Sequence, residues 1–98
     1  MNIPSPPDAF DVIVVFNYLQ RGMMPEIISG LKPGGLLIFE AMTTGQLRWK
    51  PDFNPDYLLK PGELVQFCKG LHLIKYREAD IPSGQSLRSV ASLVARKE

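Results

Sequence analysis

The apolar positions in the first half of the chain form two short continuous runs, and each run predicts a buried strand. The first run extends from Phe10 to Phe16, with Val or Ile at every position after Asp11 until the final phenylalanine. The second run extends from Leu36 to Phe39. Uninterrupted β-branched and aliphatic runs are typical of strands that are covered on both faces, as in a parallel sheet.

The residues between these runs predict a crossover helix. The helix should span Leu19 to Leu31, because Met23, Ile27 and Leu31 recur at helical spacing. The segment from Lys32 to Gly35 is typical of a helix stop followed by a turn. A strand, a helix and a second strand in this order predict a right-handed β-α-β unit with parallel strands. In open sheets of this kind, ligands bind beyond the carboxyl ends of the strands.

The second half of the chain predicts one more helix and two more strands. Residues 43–60 read as a long loop, which acts either as a functional lid or as an apolar cover of the sheet. A helix is expected from Pro61 to Lys69, and strands are expected from Leu71 to Ala79 and from Ser89 to Arg96, joined by a loop from Asp80 to Arg88. Because no helix separates these two strands, they should run in opposite directions.

The composition limits both the size and the partners of the protein. A chain of 98 residues makes one domain, and residues 1–9, which hold three prolines, predict an irregular lead-in. The 11 basic and 10 acidic residues give a net charge of +1, which argues against a nucleic-acid or membrane-surface binder. No apolar run reaches the ~20 residues of a membrane span, and no signal peptide is visible.

Two isolated residues bear on location and metal binding. Cys68 is the one cysteine, so no internal disulfide is possible, and this favours an intracellular, cytoplasmic setting. Cys68 lies on the apolar face of the predicted second helix, which favours a buried hydrophobic role over a nucleophilic one. His72 has no Cys, His or Asp at ligand spacing, so no metal site is predicted.

Three motifs together resemble the C-terminal half of class I S-adenosylmethionine-dependent methyltransferases. They are FDVIVVFNYL, then LKPGG followed by LLIFE, and then NPDYLLKPGEL before the terminal strand pair. Within that class they resemble the branch labelled tellurite-resistance-like or methyltransferase-domain proteins. The family has a seven-stranded sheet of order 3-2-1-4-5-7-6 with strand 7 antiparallel. The resemblance implies that this chain is a single partial methyltransferase domain over residues 1–98. It would be a partial Rossmann-like α/β sheet with strands 4, 5, 6 and 7 and two helices.

The sequence also departs from the family pattern. The glycine-rich loop after strand 1 and the acidic residue at the end of strand 2 have no counterpart here. Gly34 and Gly35 do not replace the loop, because they precede a strand instead of following one and opening a helix. We therefore expect a C-terminal fragment that binds S-adenosylmethionine weakly or not at all and is inactive alone.

The first strand would then lie at the edge of the sheet. A flat, nearly uncharged edge such as Phe10–Phe16 is prone to pairing with other strands. We expect it to pair with a second copy of the chain, giving a homodimer, or with another chain.

The end of the first strand carries the candidate cofactor residues Asn17, Tyr18 and Leu19. By resemblance this tip contacts the methionyl part of the cofactor and faces the substrate, whereas the alternative is that Asn17 caps the following helix. Further side chains on this rim and in the long loop are candidates for the substrate pocket: Arg21, Glu40, Thr43, Asn54 and Tyr57.

Two of the substrate-pocket candidates have alternatives that stay open. Glu40 can accept a proton or bind a substrate donor, or it can hydrogen-bond loop amides. Arg21 can meet a carboxylate or lie in solvent. No catalytic residue is identified.

These observations favour an enzyme that transfers a methyl group from S-adenosylmethionine to a small-molecule acceptor. The sulfonium methyl group is already electrophilic, so in-line positioning supplies most of the effect and no catalytic dyad is needed. The alternative is a non-catalytic half-domain that acts as an interaction or dimerisation module through its open sheet edge. A phosphate-binding regulatory domain ranks last, because the sequence has no phosphate loop.

Overall fold

The computed structural model describes residues 7–17 and 19–98, and these residues form one four-stranded mixed sheet. The strands are β1 (Phe10–Phe16), β2 (Leu31–Met42), β3 (His72–Ser83) and β4 (Ser86–Arg96). Their order across the sheet is β1-β2-β4-β3, with β1 parallel to β2 and β4 antiparallel to both of its neighbours. This is the order expected for strands 4, 5, 7 and 6, so the predicted fold class is confirmed.

The helices are shorter than the sequence predicts. Helix α1 spans Met24–Gly30 after a 3-10 turn at Arg21–Met23, and helix α2 spans Glu63–Phe67. Helix α1 ends before Leu31 because that residue is already extended, with ψ at 137°. The loop at 43–60 contains two further 3-10 turns, Thr44–Arg48 and Pro55–Tyr57. No helix within the described ranges is long and apolar enough to cross a membrane.

The predicted loop from Asp80 to Arg88 is wrong, because both flanking strands continue through it. β3 and β4 form a hairpin that pairs Ile81 with Arg88 and Ser83 with Ser86. Only Gly84 and Gln85 remain in the turn, and Gly84 takes a φ of 63°. Such short hairpin turns favour residues that tolerate positive φ. The proline at position 82 is accepted because β3 is an edge strand.

The predicted turn before β2 is instead an irregular part of the strand. Leu31 pairs with Phe10 and Leu36 pairs with Val12, so the residues between them on β2 bulge out of register. A Cβ atom at Gly35 would lie 2.9 Å from the carbonyl oxygen of Lys32. Only glycine allows this close approach of the backbones.

The hydrophobic core lies on one face of the sheet. Alternate residues of β2 and β4, such as Leu37, Phe39 and Leu93, are buried there against Met24 and Leu64 of the two helices. The opposite face, called the open face below, is less covered.

The open face carries Val12, Val14 and Phe16, which are 49, 52 and 57% exposed. The expectation that the first strand is covered on both faces is therefore wrong for the described residues.

Candidate functional site

The carboxyl ends of β1 and β2 are joined by a backbone hydrogen bond. The amide of Asn17 donates to the carbonyl oxygen of Glu40 over 2.8 Å. Asn17 is exposed and has a φ of 55°, a left-handed conformation that asparagine tolerates better than most residues. It does not cap the following helix, because the residue before α1 is Met23. The capping alternative is therefore wrong.

Of the other two predicted cofactor residues, the structure describes Leu19 only. Leu19 is partly buried and packs against the core cluster, where it forms an apolar floor at the end of β1. Tyr18 lies outside the described residues.

Arg21 meets a carboxylate, that of Glu63, in a tight ion pair, and its side chain remains 36% exposed. Its guanidinium donates to both carboxylate oxygens of Glu63, at 2.5 and 2.9 Å, and to the carbonyl oxygens of Asp56 and Leu58 at 2.8 and 2.9 Å. The direct hydrogen bond is the largest cause of a raised pKa for Arg21 and a lowered pKa for Glu63. Arg21 therefore holds the loop around Tyr57 against the end of β1.

Glu40 is engaged on the open face of the sheet. The hydroxyl of Ser92 donates to its carboxylate over 2.6 Å, and Arg88 lies 3.7 Å away. Its partners here are side chains of β4, Ser92 and Arg88, instead of loop amides, and a role in accepting a proton or binding a substrate donor stays a prediction. Among the described residues, the Nε atom of Arg88 is shielded from solvent without a hydrogen-bond partner.

The remaining predicted residues lie in or next to the long loop. Thr43 is buried and accepts a hydrogen bond from the amide of Gly45 at 3.2 Å, so it caps a 3-10 turn. Asn54 caps the next turn by accepting from the amide of Asp56 at 3.0 Å. Tyr57 is 62% exposed, so its side chain is accessible to a ligand.

Asn17 and Leu19 follow β1, and Arg21, two residues after Leu19, is hydrogen-bonded to the backbone on either side of Tyr57. These three candidates are together called the carboxyl-end rim: Asn17, Leu19 and Tyr57. It offers an amide, an apolar floor and a phenol, and no acid–base pair was identified there. In the part of the chain that the structure describes, no three His, Cys, Asp or Glu side chains could hold a metal ion. The rim is suited to positioning a ligand more than to proton transfer.

The sequence analysis missed a polar network between the 3-10 turn after β2 and the β3–β4 hairpin. Ser89 donates to Asp80 over 2.5 Å and accepts hydrogen bonds from Arg48 and Trp49. Arg48 donates to both oxygens of Asp80 and stacks 5.0 Å from the centre of the Trp49 ring. The bond from Ser89, followed by the Arg48 interaction, lowers the pKa of Asp80.

This network lines a cavity of about 420 Å³, together with Thr43, Pro61 and Glu78. Its hydrogen bonds join the 3-10 turn after β2 to the β3–β4 hairpin, so a structural role accounts for them. No sequence signal identified it, because its members are distant in the chain and Asp80 fell in a predicted loop.

Cys68 has the buried position that the sequence predicts. Cys68 is buried, and burial raises the pKa of its thiol to about 11, which disfavours the reactive thiolate. His72 is exposed and lies 3.5 Å from Glu98.

Comparison with known sequences gives a partial relationship. No family model matches the sequence. One curated relative, hemagglutinin 1 of Eikenella corrodens, is 39% identical over 71 residues, which are 67% of this chain and 23% of that protein. The chain therefore spans less than a quarter of the length of that relative.

Solved methyltransferase structures are similar over nearly the whole chain. TehB from Haemophilus influenzae matches with a TM-score of 0.75 and 15% identity, over 93% of this chain and 36% of TehB. A SAM-dependent methyltransferase from Methanosarcina mazei matches with a TM-score of 0.73 and 15% identity, over 98% of this chain and 63% of that chain. The N-methyltransferase NodS from Bradyrhizobium japonicum, solved with S-adenosyl-L-homocysteine, matches with a TM-score of 0.64 and 18% identity, over 95% of this chain and 48% of NodS. The chain has the fold of part of a class I methyltransferase, and it spans less than two thirds of each of these structures.

Proposed function

We propose that the chain forms part of an S-adenosylmethionine-dependent methyltransferase domain that transfers a methyl group to a small-molecule acceptor. The observation that carries this proposal is the exposed Asn17 at the joined ends of β1 and β2, in a sheet with the methyltransferase strand order. Ligands of open α/β sheets bind beyond this end of the strands.

The rim residues fit one side of the cofactor. Asn17 would offer a polar contact to the methionyl part, and Leu19 would lie beneath it as an apolar surface. When bound, S-adenosylmethionine supplies an electrophilic methyl group, so the protein mainly needs to position the acceptor and exclude water. Tyr57, on the loop that Arg21 holds in place, would contact the acceptor. Because the sequence has no glycine-rich cofactor loop, we expect weak binding and no catalysis by this chain alone.

A titration of the 15N-labelled chain with S-adenosylhomocysteine, followed by NMR, tests the proposal. We expect amide shifts at Asn17, Leu19 and Tyr57, with an affinity in the millimolar range. Asn17→Gly keeps the left-handed backbone but removes the side chain, so it should weaken these shifts. Gln85→Gly removes an exposed side chain from the hairpin turn and serves as the control.

Three results would contradict this assignment. Shifts confined to the cavity beside Asp80 would place the ligand elsewhere, and no shift at the solubility limit of the ligand would remove the cofactor role. Micromolar binding would show that the missing glycine-rich loop is not needed.

A second function is favoured by the exposure and the low charge of β1. The strand has one charged residue, Asp11, and its apolar side chains on the open face are exposed. The chain can therefore act as a non-catalytic module that pairs through this edge with a second copy or another chain. This function predicts association that depends on protein concentration and does not respond to S-adenosylhomocysteine.

A further inference from the structure

Five consecutive residues of the long loop, Trp49 to Phe53, line a cavity of about 370 Å³. The amide of Phe53 donates to the carbonyl oxygen of Lys50 over 3.1 Å, which closes a turn with Pro51 at its second position. Proline is favoured at that position of a β-turn because its ring fixes φ near the value that the turn needs. The turn reverses the chain, so the aromatic residues on either side of it, Trp49 and Phe53, line the same cavity.

The indole ring of Trp49 is held in place by the sheet. Its Nε1 atom donates to the hydroxyl of Ser89 on β4 over 3.3 Å, and its backbone amide donates to the carbonyl oxygen of Gln46 over 3.0 Å. Trp49 is nonetheless 39% exposed. A ligand in the cavity would therefore meet a ring that is already ordered, which lowers the entropic cost of binding.

The ring of Trp49 already attracts one cation. The guanidinium of Arg48 lies 5.0 Å from the centre of the ring, a distance at which a cation is attracted to the π electrons. The charge of Arg48 is balanced by the carboxylate of Asp80, to which it donates. Arg48 is not among the residues that line this cavity. A second cation in the cavity would therefore not face an unpaired positive charge from Arg48.

The cavity lining combines groups that suit an alkylated ammonium ion. Trp49 and Phe53 supply aromatic surface, and Pro51 supplies aliphatic surface. Asp52 supplies a carboxylate in an exposed position. Lys50 opposes a cation, but it is exposed, and its long flexible stem lets the charged end extend into solvent.

We propose that this cavity binds a small quaternary ammonium compound. The methyl groups of such an ion pack on aromatic and aliphatic surface, and its charge is attracted to the two rings and to Asp52. A primary ammonium ion would lose hydrogen bonds to water that a single carboxylate replaces only in part. An anion would face the negative faces of the rings and the carboxylate. The inference goes beyond the proposed function, since the cavity shares no residue with the carboxyl-end rim and needs no cofactor.

The fluorescence of Trp49 tests the inference, because it is the one tryptophan of the chain. Choline is compared, at constant ionic strength, with the uncharged alcohol in which a carbon atom replaces its nitrogen. The two ligands have the same shape, so a difference in affinity reports the effect of the charge. We expect choline to bind with a dissociation constant in the millimolar range and about tenfold more tightly than the alcohol.

Two variants test the cavity lining. Phe53→Leu removes the ring but keeps an apolar side chain, so it should weaken choline binding about fivefold and leave the alcohol nearly unchanged. Its matched control is Phe10→Leu, at a phenylalanine on β1 that is 43% exposed. Asp52→Asn should weaken choline binding about threefold. Its control, Asp56→Asn, changes the same loop outside the cavity lining and should have little effect.

A third variant should act in the opposite direction. Lys50→Gln removes a positive charge from the cavity wall, so choline binding should tighten about twofold. Equal affinities for choline and the alcohol, or no response of the tryptophan to choline, overturn the proposal. So does a loss in Phe53→Leu that is no larger than in Phe10→Leu. If circular dichroism shows that Phe53→Leu does not fold, an unchanged choline affinity in Asp52→Asn overturns it instead.

Discussion

The guanidinium of Arg21 connects three segments that are distant in the sequence. It links the turn after β1, the loop at Asp56–Leu58 and the first residue of α2, Glu63. The sequence places Arg21 on the rim but cannot identify its partner, because 42 positions separate the two charges. The ion pair follows from the folded path of the long loop and gives Arg21 a structural role, whereas its place in a substrate pocket stays a prediction.

Replacing Arg21 should therefore destabilise the chain without direct loss of a ligand contact. We expect Arg21→Ala to lower the free energy of unfolding by about 1–3 kcal/mol, because Glu63 and two carbonyl oxygens lose a charged donor. Urea unfolding monitored by circular dichroism measures the change. Arg77→Ala, at an exposed position on β3, is the control and should change stability little. Equal effects of the two variants would contradict the role of the ion pair.

The pair also predicts a response to acid. Folding lowers the pKa of Glu63, chiefly through the hydrogen bond from Arg21, so the charged carboxylate is stabilised in the folded chain. This stability is present above the unfolded pKa of about 4.3 and is lost as the pH falls through the lower folded value. Unfolding measured across this window should show a shallower loss for Glu63→Gln than for the unchanged chain. Parallel curves would contradict it.

The left-handed backbone of Asn17 gives a separate prediction. Asn17→Gly should leave thermal stability almost unchanged, whereas Asn17→Val should cost about 1–2 kcal/mol, because a branched side chain disfavours a φ of 55°. Melting curves recorded by circular dichroism compare the two variants. If valine is tolerated as well as glycine, the turn does not require this conformation.

At the level of elements, the sequence predicts strands correctly where they consist of apolar runs, and it misses the polar ends of strands. β1 has the predicted bounds because Val12–Val15 form an uninterrupted β-branched run. The hairpin arm from Asp80 to Ser83 has the composition of a loop, because Asp, Pro and Ser surround its one apolar residue, Ile81. It is nonetheless extended, since an edge strand needs only one paired side.

The bulge at the start of β2 could not be read from the sequence either. Lys32–Gly35 has the composition of a turn, but the chain is held extended by its neighbours. Gly34 donates to the carbonyl oxygen of Lys97, and Lys97 donates back to Gly35 over 2.9 Å. These bonds join positions that are far apart in the sequence, and local propensity carries no information about them.

Gly35 gives the element-scale prediction. Gly35→Ala should destabilise the chain by about 1–3 kcal/mol, because the new methyl group would meet backbone oxygens of Lys32 and Asp11 at 2.9 and 3.1 Å. Gly70→Ala is the control, since nothing lies within 4 Å of a methyl group there. Urea unfolding measures the stability of both variants. Similar stability would show that the backbones of β1 and β2 can move apart enough to accommodate the methyl group.

For the whole molecule, the sequence predicted the strand order and only part of the site. Asn17, Leu19 and Tyr57 stay as candidates at one rim. Arg21 and Glu40 have contacts that depend on tertiary register, whereas Thr43 and Asn54 cap the turns that follow them in the sequence. The alignment of Ser92 with Glu40, for example, follows from the pairing of β2 with β4 and from no local pattern. The position of Asn17 at the end of β1 was predictable, because the strand order alone fixes it, whereas its role as a cofactor residue stays a prediction.

The exposed edge gives the whole-molecule prediction. We expect the chain to associate as its concentration rises, through pairing of β1, and sedimentation velocity measures this. Val12→Lys should weaken the association, because a charged side chain on an edge opposes pairing. Ile74→Lys places the same charge on the opposite edge strand, β3, and is the control. A chain that stays monomeric at every concentration would exclude pairing of this edge with itself.

The two edge strands of the sheet differ in how well they are protected against pairing with further strands, and this limits the size of the assembly that copies can form. β3 carries Lys75 and Arg77 and an irregularity in register between Leu73 and Lys75, features that discourage further strands from adding. β1 has one charge, Asp11, and a register irregularity at its first residues, so its apolar part from Val12 to Phe16 lacks such protection. Each protomer then has a single strand edge that can pair, so pairing between two copies leaves no such edge free in the dimer. Association of this kind closes at the pair and cannot propagate into a fibril.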